Sequence, residues 1–366
     1  MIVIKVPSSS ANLGPGFDVF GLALSSPVVK GVGHETSCHS TALLELQVTV
    51  SPESSAVPFN CEISCEGRGA QSIKLAPNEN LITQVALYVL RCNGLHSFPS
   101  FTKLHIKNGI NLSSGLGSSG AAVVAGVMLG NEVGGFGLSK DRLLDYCLMV
   151  ERHPDNVAAA LFGGFVGSFL RSLKPEDVAR KEIPLSEVLP QQVGGVDTGL
   201  RPQEPPHGIG NYHKFGWAPE IKAVVVVPDF EVETAKARIA LPKQFSREDM
   251  VFNMQRSSLL PVLLSESPPN AVKISEVMRD RIHQPYRQEL IPGLAEVLAS
   301  LTPSSHPGLL GVCLSGAGPT ILALATSNFE HIALSIIAIV FKAQGVRCLW
   351  QVLEPAKDGA TVERID

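Results

Sequence analysis

Two domains, each mixing strands with helices, are what this sequence predicts, and three observations carry the prediction. The chain of 366 residues is longer than one hydrophobic core usually supports. Its 45% hydrophobic against 17% charged residues can fill two cores. Segments of period two alternate with segments of helical period, and loops rich in Gly, Ser or Pro separate them. The boundary is expected near residue 180, giving domains 1–180 and 181–366. Residues 174–182 are charged there, and 191–217, rich in Gly and Pro, read as a surface connection or an insertion in the second domain.

A formal net charge of −4 gives no reason to expect nucleic acid or an anionic membrane as partner, so a small soluble ligand is expected. The seven cysteines are odd in number and dispersed, as free thiols of a reducing compartment are. His34, Cys38 and His39 lack a second ligand pair at a zinc spacing, and no metal is expected there. Met1 leads directly into an apolar strand and the longest apolar run, 332–341, has about half the length that spans a bilayer. A cytoplasmic protein without signal peptide is expected.

Along the chain, residues 2–6 read as a strand ended by Pro7, followed by a Gly/Ser loop to Asp18 and an apolar run, 19–24. A surface excursion over 25–45 precedes a strand at 44–50 and a polar stretch to about 78. Residues 80–92 have helical period, with Asn78 or Asn80 as cap. Then come a half-exposed strand at 102–106, a glycine loop, its helix to about 133, and a Ser-capped helix over 139–151. Strands are expected at 165–170, 221–227, 309–314, 321–325 and 346–353, and helices at 234–240, 252–264, to about 301, and at 329–343. The cation-dense run 278–287 reads by default as a solvated face.

The loop Asn111-Leu-Ser-Ser-Gly-Leu-Gly-Ser-Ser-Gly-Ala-Ala122 opens a buried-type helix, where exposed backbone N–H groups and the helix dipole favour a phosphate. Its Gly115-x-Gly117-x-x-Gly120 spacing also matches a dinucleotide fingerprint. That motif needs a buried parallel strand before it, whereas Lys103, His105 and Lys107 alternate with apolar residues here. The Gly-Lys-Ser/Thr of nucleoside-triphosphatase loops is absent. Alone, the loop is either a phosphate cradle or a turn without ligand. Glu151-Arg-His-Pro-Asp-Asn156 sets five polar groups between two apolar segments, which marks either an exposed loop or a ligand site.

Three loops, each after a strand, now stand together: Pro7-Ser-Ser-Ser-Ala-Asn-Leu-Gly-Pro-Gly-Phe-Asp18, Ser114-Gly-Leu-Gly-Ser-Ser-Gly-Ala-Ala122 and Leu314-Ser-Gly-Ala-Gly-Pro-Thr320. In this order they resemble the motifs of the GHMP small-molecule kinases, over essentially the whole chain. The first loop and His153-Pro-Asp-Asn156 resemble the homoserine kinase branch. The resemblance implies an α+β, two-domain fold: an N-terminal ATP-binding domain with a left-handed βαβ unit, a C-terminal ferredoxin-like domain, and the active site between them.

It also implies a reaction, transfer of the ATP γ-phosphate to the side-chain hydroxyl of L-homoserine in threonine biosynthesis. By resemblance, Ser114, Gly115, Leu116, Gly117, Ser118, Ser119 and Gly120 hold ATP, and Ser119 with Glu151 binds Mg2+. Arg238 and Arg287 match the family positions that clamp the substrate carboxylate, and Asn12 with Asp18 suits its ammonium. His153 and Asn156 are expected beside the reacting hydroxyl, Thr234 on substrate or phosphate, and His153, Asn156 and Arg238 form the catalytic set. Where mevalonate kinase and galactokinase place a basic aspartate, this chain has Asn156, which takes no proton at neutral pH. Attack without a protein base is therefore expected. Relatives that act on mevalonate or sugars would carry that base, and a non-catalytic sensor would carry a damaged second loop. A homodimer is compatible with the resemblance.

Overall fold

The computed structural model describes residues 1–25, 42–52, 56–176 and 201–365. The expected boundary near 180, most of the 25–45 excursion and the His34, Cys38, His39 group lie outside the described residues.

The N-terminal sheet has the order β4-β5-β3-β1-β2. Its strands are β1 (Ile2–Ala11), β2 (Phe20–Ser25), β3 (Leu43–Ser51), β4 (Cys61–Gly67) and β5 (Phe101–Asn108). β4 and β5 run parallel, with α1 (Leu81–Cys92) between them in the chain. Asn80 caps α1 by accepting from the Ile82 and Thr83 N–H groups. Then follow α2 (Ser118–Gly134), α3 (Lys140–Val150) and α4 (Pro154–Phe162), which bury Val124, Val127, Leu144, Tyr146 and Leu161 with α1 in one core. Ser139 caps α3 through the Arg142 N–H. β6 (Phe165–Leu170) pairs with β2, and β7 (Gly210–Phe215) with β6.

The second half contains β8 (Lys222–Pro228), α5 (Thr234–Ile239), α6 (Arg247–Ser265), α7 (Ala271–Val277), the single turn α8 (Gln284–Arg287) and α9 (Leu294–Ser300). β9 (Leu309–Leu314), β10 (Ile321–Ala325), α10 (Phe329–Gln344) and β11 (Cys348–Pro355) follow. The strand order β11-β8-β10-β9 is fourth, first, third, second in this half, the ferredoxin-like order. α10 lays Ile332, Ile336 and Val340 on Val224 and Val226 of that sheet in a second core.

The sheets join where Pro355 pairs with Leu24 and Glu354 with Ser25. The closing β12 (Thr361–Arg364) returns to β1, pairing Ile2 with Arg364. Two strands from beyond residue 180, β7 and β12, therefore complete the first sheet system.

Three strands escape the sequence reading. β4, β7 and β12 are short and largely polar; β7 and β12 bury no side chain, and β4 buries only Cys61 and Ile63. The end placed at Pro7 is a correction. β1 continues to Ala11 because Pro7 sits where its partner changes, from β3 for residues 2–7 to β2 for residues 8–11. α6 starts earlier than expected, at a Ser246 cap that accepts from the Asp249 N–H. Six described cysteines are free thiols, and no helix among the described residues is long and apolar enough to cross a membrane.

Candidate active site

The three glycine loops lock together in one place. Ser8, Ser9 and Ser10 are fully buried at the end of β1, and small hydroxyl side chains suit the spot because partners are at hand. Ser9 Oγ donates to Asn156 Oδ1 at 2.8 Å, and the Ser10 and Ser315 hydroxyls meet at 2.8 Å. Ser315 Oγ also donates to the Gly115 carbonyl at 2.6 Å, and Gly316 N–H to that of Ala11 at 3.1 Å. The second loop is held from both sides by Ser9 N–H on the Leu116 carbonyl, 3.1 Å, and Thr320 N–H on the Ser114 carbonyl, 3.0 Å.

Packing this tight requires glycine. Gly117 has φ +66°, and a Cβ there would collide with the Ser9 hydroxyl and lie 2.9 Å from Asn156 Oδ1. Gly117 is the cap residue of α2 and supplies no side chain to its first N–H groups. Those donors face the cleft with Ser118, Ser119 and Gly120, and together with the helix dipole they form an anion cradle.

At the other end of the cleft, charges gather around Phe17. Arg238 makes a two-pronged ion pair with Asp18, Nη2 to Oδ1 at 2.8 Å and Nη1 to Oδ2 at 3.2 Å. Asn12 Oδ1 accepts the Asp18 N–H at 3.1 Å while its Nδ2 donates to the Gly316 carbonyl. The Phe17 ring lies 5.6 Å from the Arg238 guanidinium carbon and 5.3 Å from that of Arg287, a cation–π spacer between two like charges. Arg287 is 2% exposed. Burial, and then the Arg238 charge, pull its pKa down to about 10. The default of a solvated face over 278–287 is thus wrong for much of the run: Met278, Ile282, His283 and Gln284 are buried as well, and Arg287 turns inward because backbone carbonyls there accept its protons.

A third wall comes from residues 151–156. His153 Nδ1 lies 2.6 Å from Glu151 Oε1. Burial alone would lower the His153 pKa, but the hydrogen bond and charge of Glu151 outweigh it and raise it. Asp155 is 3% exposed, and its Oδ1 accepts the Asn156 N–H at 2.7 Å. Burial and the nearby Asp18 charge push the Asp155 carboxyl up to about 7.

One open cleft of about 860 Å³, its solvent-filled opening included, brings the walls together. It collects Asn12, Asp18, Glu151, His153, Asn156, Thr234, Arg238 and Arg287 with Ser114, Gly115, Gly117, Ser118, Ser119 and Gly120. Leu116 is the exception. Its side chain is 7% exposed and packs into the hydrophobic core, since the loop turns this one apolar residue inward, and only its backbone serves the motif. Sequence reasoning passed over Phe17 and Asp155, although both stand inside the motifs it quoted. Ser119 and Glu151 line the same cleft and offer oxygen donors only, the chemistry a hard divalent cation takes.

With this geometry in place, relatives can be compared. The family model GHMP kinases N terminal domain matches residues 80–164, and GHMP kinases C terminal matches residues 263–338. The homoserine kinase of Saccharomyces cerevisiae is 54% identical over 99% of this chain and 98% of its own. That of Candida albicans is 48% identical over 98% and 97%. The crystal structure of homoserine kinase from Cytophaga hutchinsonii matches with a TM-score of 0.72 at 25% identity, over 99% of this chain and 97% of that one. Mevalonate kinase of L. major, at 13% identity over 96% and 95% and a TM-score of 0.59, shares the fold. The chain belongs to the GHMP kinases and, within them, to the homoserine kinase family.

Proposed function

We propose that this protein transfers the γ-phosphate of ATP to the side-chain hydroxyl of L-homoserine, giving O-phospho-L-homoserine for threonine biosynthesis. The observation that carries the reading is the pairing of an anion cradle at α2 with a zwitterion-sized charge set, Asp18, Arg238 and Arg287, in one cleft. The cradle takes the triphosphate through the first N–H groups of α2 and the Ser118 and Ser119 hydroxyls. Arg238 and Arg287 take the amino-acid carboxylate, and Asp18 with Asn12 takes the ammonium. Ser119 and Glu151 would hold Mg2+, and the bound ion would neutralise charge on the phosphates.

His153 and Asn156 orient the hydroxyl. Asn156 is itself fixed by Ser9 and by Asp155, and an amide takes no proton at neutral pH, so positioning and charge neutralisation supply most of the rate. The hydroxyl proton passes late to phosphate or water. Phosphorus NMR of the product tests the reading: a phosphate monoester on the homoserine side-chain oxygen supports it, and an acyl phosphate or free phosphate alone refutes it.

A further inference from the structure

His283 is fully buried outside the cleft, and the mechanism gives it no task. Its two ring nitrogens meet partners that fix their roles. Nε2 lies 2.8 Å from the Gly14 carbonyl oxygen, which can only accept, so Nε2 carries the proton. Nδ1 lies 3.3 Å from Arg287 Nη1, which can only donate, so Nδ1 is the acceptor. The ring also stacks on Phe17, with centroids 5.5 Å apart and planes at 24°.

The guanidinium of Arg287 has five N–H donors. Nε donates to the Ala237 carbonyl at 3.2 Å. The two protons of Nη1 go to the Gly316 carbonyl at 2.9 Å and to His283 Nδ1. Among the described residues Nη2 has no acceptor, and Arg287 lines the cleft. Three fixed donors therefore set the plane of the fork and leave its Nη2 edge for a ligand.

The turn that carries both residues is anchored in turn. Asp280 accepts the N–H groups of Ile282, His283 and Gln284 and a proton of Asn253 Nδ2, and Gln284 Oε1 accepts the Leu314 N–H.

We infer that His283 is a positioning residue for substrate binding: its unprotonated Nδ1 holds Arg287 so that the Nη2 edge meets the carboxylate of the amino acid. This rests on the reading of the cleft as an amino-acid site. The charged groups that face the ring are Asp280, whose Oδ2 lies 3.6 Å from Nε2, Arg287 and, farther off, Asp18. Burial, which outweighs the opposing Asp280 charge, and then the Arg287 charge bring the ring's pKa below the usual histidine value.

Two measurements test it. Steady-state kinetics of His283→Leu should show a homoserine KM raised about tenfold with the ATP KM within about twofold, and His283→Asn, whose Oδ1 falls where the ring Nδ1 lies and restores the acceptor, should recover most of it. On an Arg287→Ala background the Leu change should add less than about twofold, because the residue it acts through is gone. If the Leu variant does not fold, His283→Gln, whose amide reaches the Nε2 position beside the Gly14 carbonyl and leaves the Nδ1 position empty, takes its place. Equal defects in the Leu and Asn variants, or a full defect on the Arg287→Ala background, would overturn the inference. Nitrogen NMR of the ring reads the same coupling without any substrate. A neutral ring protonated at Nε2, whose Nδ1 signal moves in Arg287→Ala, is expected, and a ring protonated at Nδ1 overturns the inference. Failure of wild-type turnover with homoserine would count against the proposed substrate alone.

Discussion

The Asp18 carboxylate and the Arg238 guanidinium, 220 residues apart in sequence, meet in parallel hydrogen bonds of 2.8 and 3.2 Å in the wall of the cleft. These are the two charges proposed to meet the ammonium and the carboxylate of the amino acid. Asp18→Asn keeps the shape and removes the charge. It should raise the homoserine KM between about ten- and a hundredfold with little change for ATP, the pair being about a third exposed and partly screened.

Gly117→Ala tests the cradle. The new methyl would collide with Ser9 and press on Asn156, at a backbone angle that alanine adopts at a cost. The expected outcome is an ATP KM raised at least about tenfold and a lower kcat, because the same displacement moves Asn156, the residue proposed to orient the hydroxyl. Unchanged ATP kinetics would place the triphosphate elsewhere.

Leu116 separates motif from packing. Its side chain is buried in the core and not in the cleft, so Leu116→Ala should cost about 2–5 kcal/mol of stability by denaturant unfolding. The ATP KM, measured well below the melting point, should stay within about twofold.

Asp155 brings a pH dependence with a definite sign. Its folded carboxyl titrates at about 7 against an ordinary value of 3.8, so the folded state holds this proton more tightly than the unfolded one. That contribution to stability is complete below about pH 4 and is lost as the pH rises towards about 7. Asp155→Asn should therefore flatten the fall in Tm across this window.

The same variant examines the base-free mechanism. With no protein base, kcat should fall less than about tenfold, whereas a loss of about 10²–10⁴-fold together with the disappearance of a limb near pH 7 would make Asp155 the base.

Much of the layout was readable because local signals agreed with tertiary ones. Asn80 and Ser139 cap the helices where their spacing to apolar periods places them, and the second loop opens a buried helix. What escaped was set by distant partners. β4 and β12 are polar strands that exist because β5 and β1 present edges to them, and the chain near Pro7 looks like a loop until β2 lies beside it. Arg287 illustrates the same limit within the site. Its cation-dense neighbourhood reads as a surface, and only the carbonyls of Ala237 and Gly316 show why it is buried. Asp155 went unassigned since its unusual acidity comes from burial and from Asp18, neither of which a local motif reveals.

The central claim is the amino-acid substrate, and a single assay addresses it most directly. ADP release from Mg-ATP would be followed with L-homoserine, L-serine, mevalonate and galactose at equal concentration. Saturable turnover with L-homoserine far above the other three is expected. Absence of turnover with homoserine, or faster turnover with mevalonate or galactose, would contradict it.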